Sequence, residues 1–529
     1  MSLQWQLSRT IPEDTAQLGE QLFGADHSYR LLGDDFEQLF PEEEVFAPLY
    51  CSTGRGAIPP LLVSLVTVFQ FLEKVPDRQA AEMVISRIDW KYALHLPLGY
   101  RGFHFTDLYA FRVRLYEHQE ERLLFDQLLL KLKALGLIKA RGKMRTDATQ
   151  VLGVAQRLTQ LELVRETLRV ALRAVTEVAG DWVKEALPAT FREAYATRQS
   201  EYGLSEEQVR AGLVQAGQDG FWFLSQVEQS ASEVLRALPE VGVLRTVLAQ
   251  QFPQGPTQPP AKRPSGHDVI ETPHEIEARY ATKRGQGWIG YKVQVTETCD
   301  EDRPHLIMDL EPTGALANDS PQLPPIQARL EAQDTLPGEQ QVDQAYMSGE
   351  NLVESAELGI NLLGIPLDDT QGPEGFQQPA FRIDLDQHQA TCPAGQTNRA
   401  WGTKASPRDG PPSLLIRFAA KTCQACPFFG QCTTSPRGRS LTLHPYRAAL
   451  EARRAEAKTE AFRQRLHLRA GIEGTISELV RRHSLRHARY RSLLKLRLQT
   501  LFTAVAVNLK RTLRWLIANQ VPNLSLSYC

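Results

Sequence analysis

The 529-residue sequence has no apolar run long enough to span a membrane, and the nearest, Leu501 to Leu509, is much too short. Its first residues lack a basic region followed by an apolar core, so we expect no secretory signal. Only seven residues are cysteine, too few for a disulfide scaffold in a chain of this length. These absences argue against membrane and disulfide-rich secreted proteins and favour a reducing, cytoplasmic compartment.

An excess of one charge is also missing overall, because the formal net charge is only −2. The charges are nevertheless unevenly distributed: residues 463–514 contain thirteen Lys or Arg but only two acids, Glu473 and Glu478. Such a basic block is typical either of a surface for an anionic partner or of a solvated helix face.

Residues 1–140 predict a helical N-terminal domain. Helices are expected after Pro59, from Asp77 as an N-cap, from Thr106 as a cap, and up to a stop at Gly136. Two readings of this domain are equally favoured, a helix-turn-helix-like DNA-binding module or a plain helical domain. The DNA-binding interpretation is suggested by four basic and aromatic side chains: Tyr109, Phe111, Arg112 and Arg114.

Alternating and β-branched patterns predict strands at 143–152, 288–298 and 305–313, and shorter strands around Asp343 and in the stretch INLLGIP. Residues 156–252 show helical spacing instead and are followed by a Pro-rich linker, so that 156–260 is expected to be a helical insert. Strands that alternate with helices indicate an α/β fold around one mixed sheet.

Three acids stand out against this background. Asp147 lies in the middle of a strand pattern, where a buried carboxylate is costly unless it is paired or binds a metal ion. Asp343 lies where a strand gives way to a loop, and Glu473 follows Arg469 by one helical turn, between Gly471 and Gly474.

Structural roles are the alternatives for the same acids. Asp147 could be an exposed strand residue, Asp343 a helix cap and Glu473 half of a surface ion pair with Arg469. For a further acid, Asp319, we favour capping of the helix that follows it.

Several stretches together resemble DDE-type insertion-sequence transposases of bacteria over nearly the whole chain. They are RTDATQV, RYATKRGQGWIGYKVQVTETCD, QQVDQAYMSGENL and RAGIEGTISELVRRHSLRHARYRSLLKLRLQ, with PPLLVSLVTVFQFL and HFTDLYAFRVRL in the N-terminal domain. The resemblance implies an RNase H-like catalytic core at 141–370 and 446–515, with Asp147, Asp343 and Glu473 as a catalytic triad that binds Mg²⁺ or Mn²⁺. It also implies cleavage and strand transfer of double-stranded DNA by a nucleoid-associated homodimer.

The sequence departs from the family pattern at three positions. Gln344 follows the second Asp, Leu466 stands at the family's Tyr position and Val480 at its Lys position, for which His467 and Arg481 are neighbouring candidates. Seven basic residues are expected to contact phosphates: Lys292, Arg469, Arg481, Arg482, Arg489, Arg491 and Lys495.

Residues 371–445 form a cysteine-rich insert with Cys392, Cys423, Cys426 and Cys432. A Cys-x2-Cys pair with two further cysteines favours a structural Zn²⁺ site over free buried thiols, although Cys392 has no partner two residues away. The other cysteines, Cys51, Cys299 and Cys529, are scattered along the chain.

Overall fold

The computed structural model describes residues 2–3, 6–230, 232–283, 285–368, 372–405 and 411–519. The fold is mixed α/β, as predicted, and Cys529 lies outside the described residues. The chain forms two compact units. The first comprises Met1–Lys139, Ala148–Ala317 and Glu473–Cys529, and the second comprises Ala140–Asp147 and Asn318–Ile472.

The first unit begins with the predicted helical segment. Its apolar helix after Pro59 is almost completely buried, and the last helix ends before Gly136, whose φ of 68° only glycine adopts readily. The helices are α1 (Glu13–Leu22), α2 (Ser28–Asp34), α3 (Phe36–Leu39), α4 (Pro60–Glu73), α5 (Asp77–Ser86), α6 (Ile88–Ala93), α7 (Thr106–Glu117) and α8 (Leu123–Ala134).

Two predicted caps in this segment are wrong. Asp77 is the first helical residue of α5 rather than its cap, and its carboxylate pairs with the buried Arg112 of α7. Thr106 makes no capping hydrogen bond and instead contacts Nδ1 of His104 at 2.7 Å. In both cases a polar side chain has a nearby partner other than the free N–H groups of the helix.

Five helices occupy most of residues 160–251, where the helical insert is predicted. Their predicted apolar stripe, which runs from Leu161 to Val175, is buried in one core together with Phe223. The described residues between Phe252 and Arg279 contain no helix or strand. The insert consists of α9 (Gln160–Ala186), α10 (Ala189–Ala194), α11 (Glu206–Gln229), α12 (Glu233–Arg236) and α13 (Pro239–Gln251).

The sheet of the first unit contains β2 (Arg279–Lys283), β3 (Gln286–Thr298) and β4 (Ile307–Gly314), with β3 antiparallel to both neighbours. On its other side β3 neighbours β1 (Lys143–Leu152). The last two helices of the described residues are α19 (Ile472–Arg482) and α20 (Leu493–Ala518). Asn508 of α20 bonds both the N–H and the C=O of Ile307, so the buried start of β4 has its backbone groups satisfied.

In the second unit the first half of β1 runs parallel to β5 (Glu339–Val342), and β5 runs parallel to β6 (Asn361–Leu363). A buried hydrogen-bond network holds this register: Gln340 donates to Thr146, and Gln327 donates to Gln340 and to Ser355, each at 2.9 Å. The helices are α14 (Leu323–Ala332), α15 (Gly349–Glu357), α16 (Ala420–Gln424), α17 (Arg447–Glu456) and α18 (Glu460–His467).

The cysteine-rich insert of the second unit forms two small sheets. One is a two-stranded antiparallel sheet, and the other is a three-stranded sheet in the order β11-β10-β9. The strands are β7 (Arg382–Asp384), β8 (Gln389–Thr391), β9 (Ala400–Lys404), β10 (Ser413–Arg417) and β11 (Ser440–Leu443).

Candidate active site

Asp147 and Asp343 come together because of the parallel pairing of β1 with β5. The last paired residues in this register are Thr146 and Val342, so Asp147 and Asp343 are the next residues along the two strands. Residues in register on neighbouring parallel strands lie about 5 Å apart and point to the same face. The sheet therefore places the two carboxylates side by side.

One guanidinium lies between these two acids. Nη1 of Arg469 donates to Oδ2 of Asp147 at 3.0 Å, and Nη2 lies 3.7 Å from Oδ1 of Asp343. The Asp147 side chain is 22% exposed and that of Asp343 is 50% exposed, so the pair opens to solvent on the Asp343 side. Two like charges this close need a cation between them, and Arg469 supplies one.

Arg469 lies in the turn Leu468–Gly471, and the buried Arg145 holds this turn in place. Nη1 of Arg145 in β1 donates to the Leu468 carbonyl at 2.6 Å. A Cβ added at Gly471 would lie 2.0 Å from that same Nη1. Arg145 therefore approaches Gly471 too closely for any side chain there, whereas a Cβ at Gly474 would have no neighbour within 4 Å.

Sequence reasoning missed Tyr346, which lies in a 3₁₀ turn directly after β5 and is fully buried. Burial raises the pKa of the Tyr346 phenol well above its usual value, and the nearby carboxylates of Asp319, Asp147 and Asp343 raise it further. A neutral phenol is therefore packed beside the acidic pair. The one sequence feature that could have pointed to Tyr346 is its position three residues after Asp343.

Asp319 does not form the predicted cap. It precedes a 3₁₀ turn, Ser320–Gln322, but its side chain makes no capping hydrogen bond there. Its charge acts on the Tyr346 phenol instead, so a further carboxylate lies near the Asp147–Asp343 pair.

Glu473 lies in the first turn of α19, where it is exposed, and it belongs to the first unit. Within the described part of the chain, no group of three or more His, Cys, Asp or Glu side chains is arranged to hold a metal ion as the side chains stand. The geometry thus joins two of the three predicted acids, and the place of Glu473 in a triad remains a prediction.

The predicted phosphate-binding residues have different surroundings. Arg481, Arg482 and Arg491 are exposed, and so is most of Arg489, although its guanidinium lies 5.0 Å from the Phe71 ring. The remaining three are engaged: Arg469 with the acidic pair, Lys292 with the Ala317 carbonyl at 2.8 Å, and Lys495 with the Tyr116 ring at 5.7 Å.

The four cysteines of the insert line one cavity of about 30 Å³ and form no disulfide with one another. Burial raises the pKa of the Cys432 thiol, and the other three cysteines of the cavity, Cys392, Cys423 and Cys426, raise it further. The structure therefore brings together all four residues that sequence reasoning grouped.

Two family models match the chain. Residues 18–114 match a transposase domain of otherwise undefined function, and residues 391–513 match the transposase DDE domain. Both matches support an insertion-sequence transposase of the DDE type. The second match contains Arg469, Glu473 and the four cysteines, whereas Asp147 and Asp343 lie outside both matched segments.

Transposase domains act on DNA, and members of this DDE family generally use a divalent metal ion. No curated protein and no solved structure matches the chain. Among the described helices, none is both long and apolar enough to cross a lipid bilayer.

Proposed function

We propose that this transposase cleaves the ends of its insertion sequence and transfers them to target DNA by two-metal phosphoryl transfer. The catalytic triad is Asp147, Asp343 and Glu473, on an RNase H-like core. The observation that carries the proposal is the convergence of Asp147 and Asp343 on one guanidinium at the centre of the sheet. Neighbouring carboxylates at strand ends of an α/β sheet are a common place for chemistry.

The residues present fit a divalent metal ion. Carboxylate oxygens are the ligands that Mg²⁺ and Mn²⁺ prefer, and the close pair of acids needs positive charge between them. When bound, two such ions activate the attacking oxygen and stabilise the leaving oxygen of an in-line displacement.

The protein's own residues prepare this site for DNA. Asp147 and Asp343 would hold the metal ions, with Glu473 as a third carboxylate ligand supplied from the start of α19. Arg469 would then exchange its carboxylate partners for a DNA phosphate, because a dication neutralises the acids more effectively than a single guanidinium. Arg145 and Gly471 keep the Arg469 turn in place during this exchange.

DNA would lie on the exposed arginines Arg481, Arg482, Arg489 and Arg491, which contact phosphates without reading sequence. Lys292 and Lys495, bound to protein groups, would contribute mainly by their charge. Both element ends must be held together for transfer, so the active form is a homodimer on DNA.

The test is a Mg²⁺-dependent cleavage assay on duplex DNA that carries the element's own ends. We expect Asp343→Asn and Asp147→Asn to lose cleavage by at least about a hundredfold and to keep DNA binding, because they lose metal ligands and not phosphate contacts. The matched control is Asp368→Asn, an exposed acid of the same unit, which should cleave like the wild type.

Other outcomes would support other functions. Binding without cleavage in the wild type as well would support a catalytically degenerate DNA-binding protein of the same fold. Cleavage without joining of the freed 3′ ends to target DNA would support a nuclease. Full activity of Asp343→Asn would remove that residue from the triad.

A further inference from the structure

The cysteine-rich insert has a core too small to account for its fold. The described residues of 371–445 bury six apolar side chains in one cluster, Phe381, Ala390, Ile416, Phe418, Leu441 and Leu443, with Ile383, Trp401 and Leu414 partly buried against it. Segments of about this size usually need a disulfide or a metal ion in addition to their core. The cysteines of the insert are all free, so no disulfide supplies that stabilisation.

The four free cysteines lie around a single small cavity with aromatic walls. Phe376, Phe418, Phe428 and Phe429 line it together with the cysteines, and its volume is about 30 Å³. A cavity needs only about 10–15 Å³ to admit one water molecule, so this one has room for a single ion. Gln396, Thr422, Thr433 and Arg439 also line the cavity.

The backbone around the cavity repeats one arrangement on two sides. In Cys392-Pro-Ala-Gly395 the Cys392 carbonyl accepts the N–H of Gly395 at 2.8 Å, and in Cys426-Pro-Phe-Phe429 the Cys426 carbonyl accepts the N–H of Phe429 at 2.9 Å. Gly395 has a φ of 77°, which closes the first turn tightly. Two Cys-Pro turns thus place their cysteines at the same cavity.

A main-chain donor also points at one of the sulfurs. The N–H of Arg439 lies 3.4 Å from Sγ of Cys423. Cysteine sulfur that binds a metal ion commonly accepts such main-chain N–H donors as well.

We propose that Cys392, Cys423, Cys426 and Cys432 bind one structural Zn²⁺ ion as four thiolates. Zinc in closed structural sites takes four such ligands in a tetrahedron, and binding releases the thiol protons. The side chains as they stand do not form a metal-binding group, so their rotamers close on the ion when it binds.

Zinc at this place would tie together the two small sheets of the insert. Cys392 directly follows β8 of the two-stranded sheet, and the other three cysteines lie between β10 and β11 of the three-stranded sheet. The site does no chemistry on DNA, and it is independent of the metal ions proposed at Asp147 and Asp343.

The first measurement is the zinc content of the purified full-length protein after extensive dialysis. We expect one zinc per chain in the wild type and less than about a tenth of that in Cys423→Ser and in Cys426→Ser, since loss of a ligand weakens the site. Cys51→Ser, which removes an exposed cysteine of the first unit, and Asp343→Asn should both keep one zinc.

A second measurement does not depend on how well the serine variants fold. Wild-type protein stripped of metal and loaded with Co²⁺ alone should show the visible absorption bands of a tetrahedral all-thiolate cobalt site, and excess Zn²⁺ should abolish them. A wild type without zinc, without these bands and with all four thiols open to a thiol reagent would overturn the proposal. Neither readout uses DNA cleavage. The zinc proposal can therefore be wrong while the proposed transposase activity is right, and the transposase proposal can be wrong while zinc binds.

Discussion

Arg469 contacts both acids of the candidate active site. It connects Asp147 and Asp343, and Arg145 holds its turn in place, so four charged residues of the second unit and one glycine depend on one another. A change at any of them should therefore affect the acidic pair.

Gly471 allows a direct test of this dependence. In Gly471→Ala the new methyl group displaces the Arg145 guanidinium and breaks its 2.6 Å bond to the Leu468 carbonyl. We expect a loss of about 1–3 kcal/mol in the free energy of unfolding, measured by urea denaturation, and weaker cleavage.

The matched control is Gly474→Ala, three residues further along, where a Cβ has open space. Alanine in a helix is favoured over glycine by up to about 1 kcal/mol, so this variant should be as stable as the wild type or more so. Equal stability of both variants would show that the close approach at Gly471 does not matter.

At the scale of elements, the packing of α19 against its surroundings buries a histidine. His483 follows the last residue of α19 and is only 5% exposed. Burial lowers the pKa of the His483 imidazole to about 4, and the Lys510 ammonium of α20 and Lys74 lower it too, against a smaller opposite effect of Glu478.

This depressed pKa predicts a loss of stability in mild acid. Below pH 6.5 the unfolded chain binds a proton at His483 that the folded protein does not bind until about pH 4. Folding therefore loses up to about 3 kcal/mol as the pH falls from 6.5 to 4. His483→Leu, which cannot titrate, should lose less stability over this range, as measured by the Tm at each pH.

His118→Gln is a suitable control for this pH series, because His118 is exposed. It should follow the wild-type curve. If His483→Leu follows that curve as well, a different group causes the acid sensitivity.

At the scale of the whole molecule, the distribution of charge matters more than its sum. The net charge of −2 would predict weak attraction to DNA, yet thirteen basic residues lie between 463 and 514. Many of them are already used within the protein; Lys510 and Arg511, for example, hold Glu478 and lower its pKa to about 2 despite the opposing effect of burial. The exposed arginines are the ones left for phosphates.

Salt dependence of DNA binding tests this distribution. Arg482→Gln should weaken binding about equally on all DNA sequences and reduce the slope of log K against log salt by about 1, since one phosphate contact is lost. Arg210→Gln removes an equally exposed arginine from α11 of the helical insert and should leave the slope unchanged. A reduced slope in both variants would show that the effect is one of net charge only.

Most elements could be predicted from the sequence alone, because the period of apolar residues and the propensity of β-branched residues are local properties. It placed β1 at 143–152, ended α8 before Gly136, put Asp343 directly after a strand and grouped the four cysteines. It failed at caps such as Asp77, Thr106 and Asp319, because a polar side chain binds whichever partner the tertiary structure brings near.

The assembly of the site, in contrast, depends on tertiary contacts. The register of β1 with β5 depends on buried side chains far apart in the sequence, such as Thr146 and Gln340. That register places Asp147 beside Asp343. The packing of Arg145 against Gly471 positions Arg469 between these two acids. No local pattern carries this information, because each contact joins residues more than a hundred positions apart, and its energy exists only once the sheet has formed.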